Sequence, residues 1–180
     1  MKILLLVSLS ITLLSCGQRE KKTIENIVVV ENKIETISID TSSIAIIPFK
    51  NAYPGLFKGA KQTELNAIEL KQIENILTEL LIKYNSEQKL QYEDNSKEYP
   101  NETFSLSQFI IELENYKRQY VPVINEHGEK EIWINCFCDN WSENGKTEIE
   151  VVEDGGNCYF NLKINLATET VYDFMVNGDA

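Results

Sequence analysis

Basic residues are scarce in this sequence. Its 180 residues include 17 lysines and arginines against 28 aspartates and glutamates, a formal net charge of −11. A protein that binds DNA or RNA needs a basic surface to neutralise phosphates, and no basic cluster stands out here, so we expect no nucleic-acid partner. Apolar residues make up 43% and charged residues 25% of the chain, which excludes wholesale disorder.

Residues that carry catalysis are also few. The single histidine, His127, precedes Gly128 in a predicted turn. The sequence contains no Gly-x-Ser-x-Gly, no glycine-rich phosphate loop and no His-Glu-x-x-His. No fourth zinc ligand accompanies the three later cysteines. We therefore expect no catalytic residue, cofactor or metal, although the 28 acids leave chemistry by a carboxylate pair open.

Long apolar runs are confined to the amino terminus. Lys2 is followed by an almost wholly apolar segment, residues 3–14, which is too short to span a bilayer comfortably. A basic residue, a short apolar run and a small residue at Ser15 are typical of a secretory signal. The sequence therefore predicts a signal peptide over residues 1–15.

The residues around the predicted cleavage point carry a resemblance. Leu13-Leu14-Ser15-Cys16 resembles the lipobox of bacterial lipoproteins, with Leu14 an unusual occupant of its position. The resemblance implies that fatty acyl chains such as palmitate on Cys16 anchor the protein in a membrane. Gly17 follows, which by analogy with the sorting rule of enteric bacteria favours the outer membrane, facing the periplasm. The alternative is an ordinary signal peptide with an incidental cysteine.

Residues 16–42 are predicted to form the lipidated cysteine and its tether, and residues 43–180 a single α+β domain. A helix is predicted over 67–84, with Asn66 as its N-cap and Glu69 completing a capping box. Residues 85–104 are polar and are predicted to be a loop. Period-two alternation predicts strands over 44–47, 116–124, 131–138, 148–153, 157–166 and 170–176.

The predicted fold is α+β, a long helix packed on a four- to five-stranded antiparallel meander. This order of elements resembles cystatin-like or NTF2-like sheets, a likeness of fold that implies no function. The segments 116–120, 154–160 and 177–178 resemble small uncharacterised bacterial lipoproteins, which implies no activity either.

Alternation places Cys136 and Cys138 on one face of their strand and Cys158 on one face of a later strand. We expect all three thiols to face the helix. A disulfide from Cys158 to either Cys136 or Cys138 is feasible in an oxidising compartment and would leave one thiol over. The alternative is three buried free thiols.

The opposite sheet face is predicted to mix aromatic, asparagine and arginine side chains, which is typical of binding surfaces. The candidate binding residues are Trp133, Asn135, Tyr120, Arg118, Tyr159 and Asn161. The alternative is that the N-terminal strands, a short helix or a second protomer covers this face.

Acidic residues cluster late in the chain. Residues 139–180 contain nine acids and two lysines, a net charge of −7. Such a field favours a basic protein partner, although it can also be a solvated face. We therefore expect a lipid-anchored binding protein of the cell envelope, of which an immunity or inhibitor protein is one form. The alternative is a binder of small molecules or glycans, or a weak hydrolase, that uses the aromatic sheet face.

Overall fold

The computed structural model describes residues 41–52 and 55–178. The predicted signal peptide, Cys16 and nearly all of the predicted tether lie outside these residues. Within the described part of the chain, no helix combines the length and apolar character that crossing a bilayer requires.

One sheet organises the described residues. Its strands are β1 (Ile44–Ile46), β2 (Lys61–Gln62), β3 (Lys117–Ile124), β4 (Lys130–Phe137), β5 (Tyr159–Asn165) and β6 (Thr170–Val176). They are ordered β1-β3-β4-β5-β6, and β2 pairs with one end of β3. All pairs are antiparallel except β1 with β3, which is parallel. The α+β class is confirmed. The prediction of a purely antiparallel meander is wrong, because β1 lies at the sheet edge and pairs with β3 in the parallel direction.

The helix α1 (Ala67–Glu98) begins as predicted and ends later. The Asn66 side chain accepts hydrogen bonds from two first-turn amides, and the Glu69 carboxylate accepts one from the Asn66 amide, so the capping box is confirmed. The prediction of a loop from residue 85 is wrong. The polar sequence after Tyr84 is rich in helix-forming Glu, Gln and Lys, and α1 continues until Tyr99, which precedes Pro100 and is disfavoured from helical geometry.

The core between α1 and the sheet is apolar. Ile73, Leu77 and Leu81 are the buried residues of the helix, at the spacing of one face. They join a cluster that includes Tyr120, Ile132, Ile134, Cys136, Phe160, Leu162 and Ile164. The helix therefore covers one sheet face, and the other face must be closed by loops.

The strand predicted over residues 148–153 does not form. These residues are irregular in the structure, and the carbonyls of Glu148, Glu150 and Val152 accept hydrogen bonds from side chains. The strand predicted over 170–176 is confirmed at both ends.

Candidate functional site

The sheet face opposite α1 is covered by a long acidic connection between β4 and β5. We call residues 139–154 the acidic loop. It is closed at its base by a disulfide between Cys138 and Cys158, whose Cα atoms lie 5.0 Å apart. The Cys138 amide also donates to the Cys158 carbonyl at 3.0 Å. These bonds bring the two ends of the connection together at the end of β4 and the start of β5.

A buried glutamine fastens the middle of the acidic loop to the sheet. Gln119 of β3 is fully buried, and its Nε2 donates to the carbonyls of Gly145 and Glu148 at 2.6 Å each. Its Oε1 accepts hydrogen bonds from Asn135 Nδ2 and from the Glu150 amide, both at 3.0 Å. All four hydrogen-bonding positions of this carboxamide are therefore used.

Asn135 of β4 also holds the acidic loop, and we call Gln119 and Asn135 together the clamp. Asn135 and Gln119 are direct cross-strand partners, so their side chains lie on the same face of the sheet. Asn135 Nδ2 also donates to the Glu150 carbonyl at 2.9 Å. Two neighbouring carboxamides thus replace the strand pairing that the sequence led us to expect for residues 148–153.

Beneath the acidic loop lies a second apolar cluster. Its buried members are Ala45, Ile47, Val121 and Trp133, and half-buried Phe49, Phe57, Trp141 and Ile149 are among the residues packed against it. Only 7% of Trp133 is exposed. The prediction that Trp133 presents a free anchor to a partner is therefore corrected: its ring packs into the interior, under residues of the acidic loop and of the segment after β1.

The structure brings four of the predicted binding residues together. Trp133, Asn135, Tyr159 and Asn161 line one pocket of about 160 Å³ on this face. Val151 and Val152 of the acidic loop form part of its wall. The pocket is narrow because the loop lies across it.

Arg118 and Tyr120 lie on the other face, which corrects their predicted placement. In the observed register Arg118 pairs with Cys136 and Tyr120 with Ile134, so both side chains point towards α1. The Tyr120 hydroxyl donates to the Glu74 carboxylate, and Arg118 Nε lies 3.3 Å from the same carboxylate. Arg118 also donates to the Leu113 carbonyl at 3.0 Å.

This buried polar group has a structural role. Burial first, and the neighbouring Glu74 carboxylate second, raise the pKa of Tyr120 well above its ordinary value. The phenol therefore stays protonated and continues to donate to Glu74. Because a misplaced helix would leave these charges unpaired, the contacts favour one position of α1 on the sheet.

The cysteines divide into a bonded pair and one buried thiol. Cys136 is free and fully buried, and burial raises its pKa well above the ordinary value. The prediction that all three cysteines face the helix is corrected, because Cys138 lies one residue beyond the end of β4 and is exposed. Asp139 lies close to Cys138 and Cys158, but sulfurs that are joined to each other are not thiolate ligands for a metal.

The outer surface of the acidic loop combines charge with exposed apolar side chains. Its 16 residues contain six acids and one lysine, a net charge of −5. Val151 is 61% exposed and Val152 40%. Met175, 61% exposed, pairs with Asn161 across β5 and β6, so it lies on the same sheet face. The Asn177 side chain ties the end of the loop to the end of β6 by donating to the carbonyls of Val152 and Asp154, at 2.7 and 3.2 Å.

Tyr159 and His127 are two further candidate residues. Tyr159 donates from its hydroxyl to Asp139, and this hydrogen bond, followed by burial, raises the pKa of Tyr159 to about 12. His127 lies exposed in the turn after β3, where its amide donates to Asn125 Oδ1 at 3.0 Å.

Sequence reasoning missed Gln119 and the continuation of α1. Gln119 directly precedes the run from Tyr120 to Val123, and this position is a usable signal, since a buried carboxamide requires partners. No protein-family model, curated protein or solved structure matches this chain.

Proposed function

We propose that this protein is a lipid-anchored binding protein of the bacterial cell envelope that docks a basic protein partner on its acidic loop. Acyl chains on Cys16 anchor it to the outer membrane, and the folded residues face the periplasm. A basic toxin or enzyme held by an immunity or inhibitor protein is the partner class that suits such a surface.

The observation that carries the proposal is the apolar centre of a strongly acidic surface. Val151, Val152 and Met175 are exposed, and Glu148, Glu153 and Asp154 are exposed in the same stretch of loop. Protein interfaces combine a desolvated apolar centre with a polar rim. The acidic rim would accelerate association with a basic partner.

The attachment of the acidic loop also supports docking. A loop held by Gln119, Asn135 and the Cys138–Cys158 disulfide keeps its outer residues in fixed positions. A partner then loses less free energy in ordering the loop when it binds.

The disulfide supports the proposed location. Disulfides persist in secreted and periplasmic proteins and are rare in the reducing cytosol. A Cys138–Cys158 bond is therefore consistent with export of the chain through the predicted signal peptide.

Binding of a small molecule on the aromatic sheet face is the weaker alternative. The pocket lined by Trp133 and Asn161 holds about 160 Å³, whereas ligand sites typically enclose about 300–1,000 Å³. A larger ligand would have to displace the acidic loop from its clamp.

Charge reversal tests the proposal. The chain from Ser42 onward is used as bait in an envelope extract, beside a variant with Glu148→Lys, Glu153→Lys and Asp154→Lys. The matched control makes the same charge change on the exposed side of α1, with Glu79→Lys and Glu87→Lys together with Glu93→Lys. We expect the loop variant to lose a basic protein that the wild type and the control both capture.

Two results would contradict the proposal. One is capture of the same proteins by the loop variant and the wild type. The other is equal loss from both triple variants, which would mean that total charge rather than the loop surface determines capture.

A further inference from the structure

The buried face of α1 continues as a polar stripe past the sheet. Ile73, Leu77 and Leu81 are buried in the core. Residues at the same intervals of three and four then follow, so they lie on the same face of the helix. These residues are Tyr84, Gln88, Gln91 and Asn95. The helix therefore replaces its aliphatic stripe with carboxamides at the point where the apolar core ends.

This stripe forms one wall of a cleft of about 380 Å³, a volume within the range of small-molecule sites. The opposite wall comes from the segment before β3 and from the ends of β5 and β6. Its residues are Phe104, Gln108, Phe109, Gly156, Asn157, Val176, Asn177 and Gly178. We call this site the amide cleft.

The lining of the amide cleft carries no charge. None of its twelve residues is acidic or basic, although charged residues make up 25% of the chain and about three would be expected in such a set. Charged side chains make the strongest hydrogen bonds to an ionised ligand, and this lining offers none of either sign. The amide cleft therefore selects a neutral ligand.

The helix side of the cleft offers hydrogen-bonding groups that are not otherwise used. Among the described residues, the side chains of Gln88, Gln91 and Asn95 have no hydrogen-bond partner. Asn157 differs, since its Nδ2 holds the opposite wall in place by donating to the carbonyls of Ser107 and Ile110 at 2.9 and 2.8 Å. Each free carboxamide provides two donors and one acceptor oxygen.

The aromatic part of the lining is fixed by its own packing. The Phe109 ring lies edge-to-face against Tyr92 at 5.5 Å and against Phe104 at 6.1 Å between ring centroids. On the helix side, Tyr84 packs edge-to-face against Phe174 at 5.5 Å. The cleft thus combines positioned aromatic rings with free carboxamides.

We infer that the amide cleft binds a neutral carbohydrate. A sugar presents hydroxyl groups that both donate and accept hydrogen bonds, which carboxamides match, and C–H faces that pack on aromatic rings. An uncharged peptide offers fewer hydroxyl groups and is the less favoured ligand. The inference does not rest on the docking of a protein at the acidic loop.

Calorimetric titration of the full chain tests this inference. The chain is kept in a detergent without sugar headgroups and titrated with neutral tetrasaccharides of glucose in α and β linkage, of mannose and of N-acetylglucosamine. We expect at least one to bind with a dissociation constant in the millimolar range or below. Its affinity should be the same at low and high salt, because no charge takes part.

Matched variants locate the binding. Gln88→Ala with Gln91→Ala should weaken the affinity at least about tenfold, since two hydrogen-bonding side chains of the cleft are removed. Asn75→Ala removes an exposed carboxamide from the opposite side of α1 and should leave the affinity unchanged. Alanine is a better helix former than glutamine or asparagine, so both variants should keep α1 intact.

Three outcomes would overturn the inference. The first is no binding of any tetrasaccharide at about 10 mM. The second is equal affinity for the wild type and the Gln88/Gln91 double variant. The third is binding of a capped neutral tetrapeptide that depends on Gln88 and Gln91 while every sugar fails, which would assign the cleft to peptides.

Discussion

Replacement of Gln119 by leucine should release the acidic loop from the sheet. Gln119 makes four hydrogen bonds, to the carbonyls of Gly145 and Glu148, the Glu150 amide and the Asn135 side chain. Leucine has a similar volume and makes none of them. In Gln119→Leu these partners either stay buried without hydrogen bonds or move to water with the loop.

The structure sets the size of the effect. A neutral hydrogen bond contributes about 1 kcal/mol net, so loss of the four would cost about 4 kcal/mol if each lost partner found water, and more if the loop stayed in place with its partners buried and unpaired. If the loop is released, its unpaired backbone groups can bind water, but half-buried Trp141 and Ile149 become exposed. We therefore expect the free energy of unfolding to fall by about 2–4 kcal/mol.

Urea denaturation measures the loss, and hydrogen exchange at the Glu150 amide reports release of the loop. Asn161→Leu is the control, because Asn161 lies on the same sheet face and its side chain makes no hydrogen bond to another described residue. The reasoning is refuted if Gln119→Leu changes the free energy of unfolding by less than about 0.5 kcal/mol, within the range of surface substitutions. Unchanged exchange at the Glu150 amide would refute it as well.

Four further predictions concern the core, the phenols and the anchor. Leu77→Ala should lower the free energy of unfolding by about 2–5 kcal/mol, because Leu77 is fully buried, whereas exposed Lys71→Ala should change it little in the same urea titration. Trp133→Ala should cost about 3–5 kcal/mol and lower the melting temperature markedly, while a near-wild-type melt would contradict burial of the ring. Burial raises the pKa of Tyr116 to about 12. The stabilisation from its neutral phenol should therefore be complete below about pH 10 and be lost as the pH rises towards 12. Tyrosinate absorbance measures the ionisation, and urea midpoints measure the loss of stability. Cys16→Ala should abolish labelling by a clickable fatty acid and release the protein from membranes, and continued membrane attachment without label would contradict the proposed anchor.

Alternation predicted five strands that the structure contains, but it did not predict which of their faces lie on the same side of the sheet. It gives the residues that share a face within one strand, but the face they occupy depends on the pairing. In β3 the residues from Arg118 to Val123 are all buried. Buried and exposed positions therefore do not alternate along this strand, and the inner face is not marked. The sequence therefore predicts Arg118 and Tyr120 on the face of Trp133, whereas the observed register places them under α1.

Two other differences have a similar origin. The second half of α1 is polar because it extends past the sheet core, and the same composition is typical of a loop. Residues 148–153 have strand-like alternation, but their backbone partners are the side chains of Gln119 and Asn135 rather than a neighbouring strand. Local patterns do not reveal partners that are distant in sequence. The hydrogen bonds of the clamp and the lining of the amide cleft could therefore not be predicted from the sequence.

Site-specific photo-cross-linking in intact cells tests the proposed docking surface most directly. A photoreactive amino acid is placed at Val151 in the acidic loop, and at Ile82, which is 63% exposed on α1, as the control. The account predicts an adduct with a basic envelope protein from position 151, its loss when Glu148, Glu153 and Asp154 are changed to lysine, and no such adduct from position 82. The absence of an adduct at position 151, or the same adduct from both positions, would contradict it.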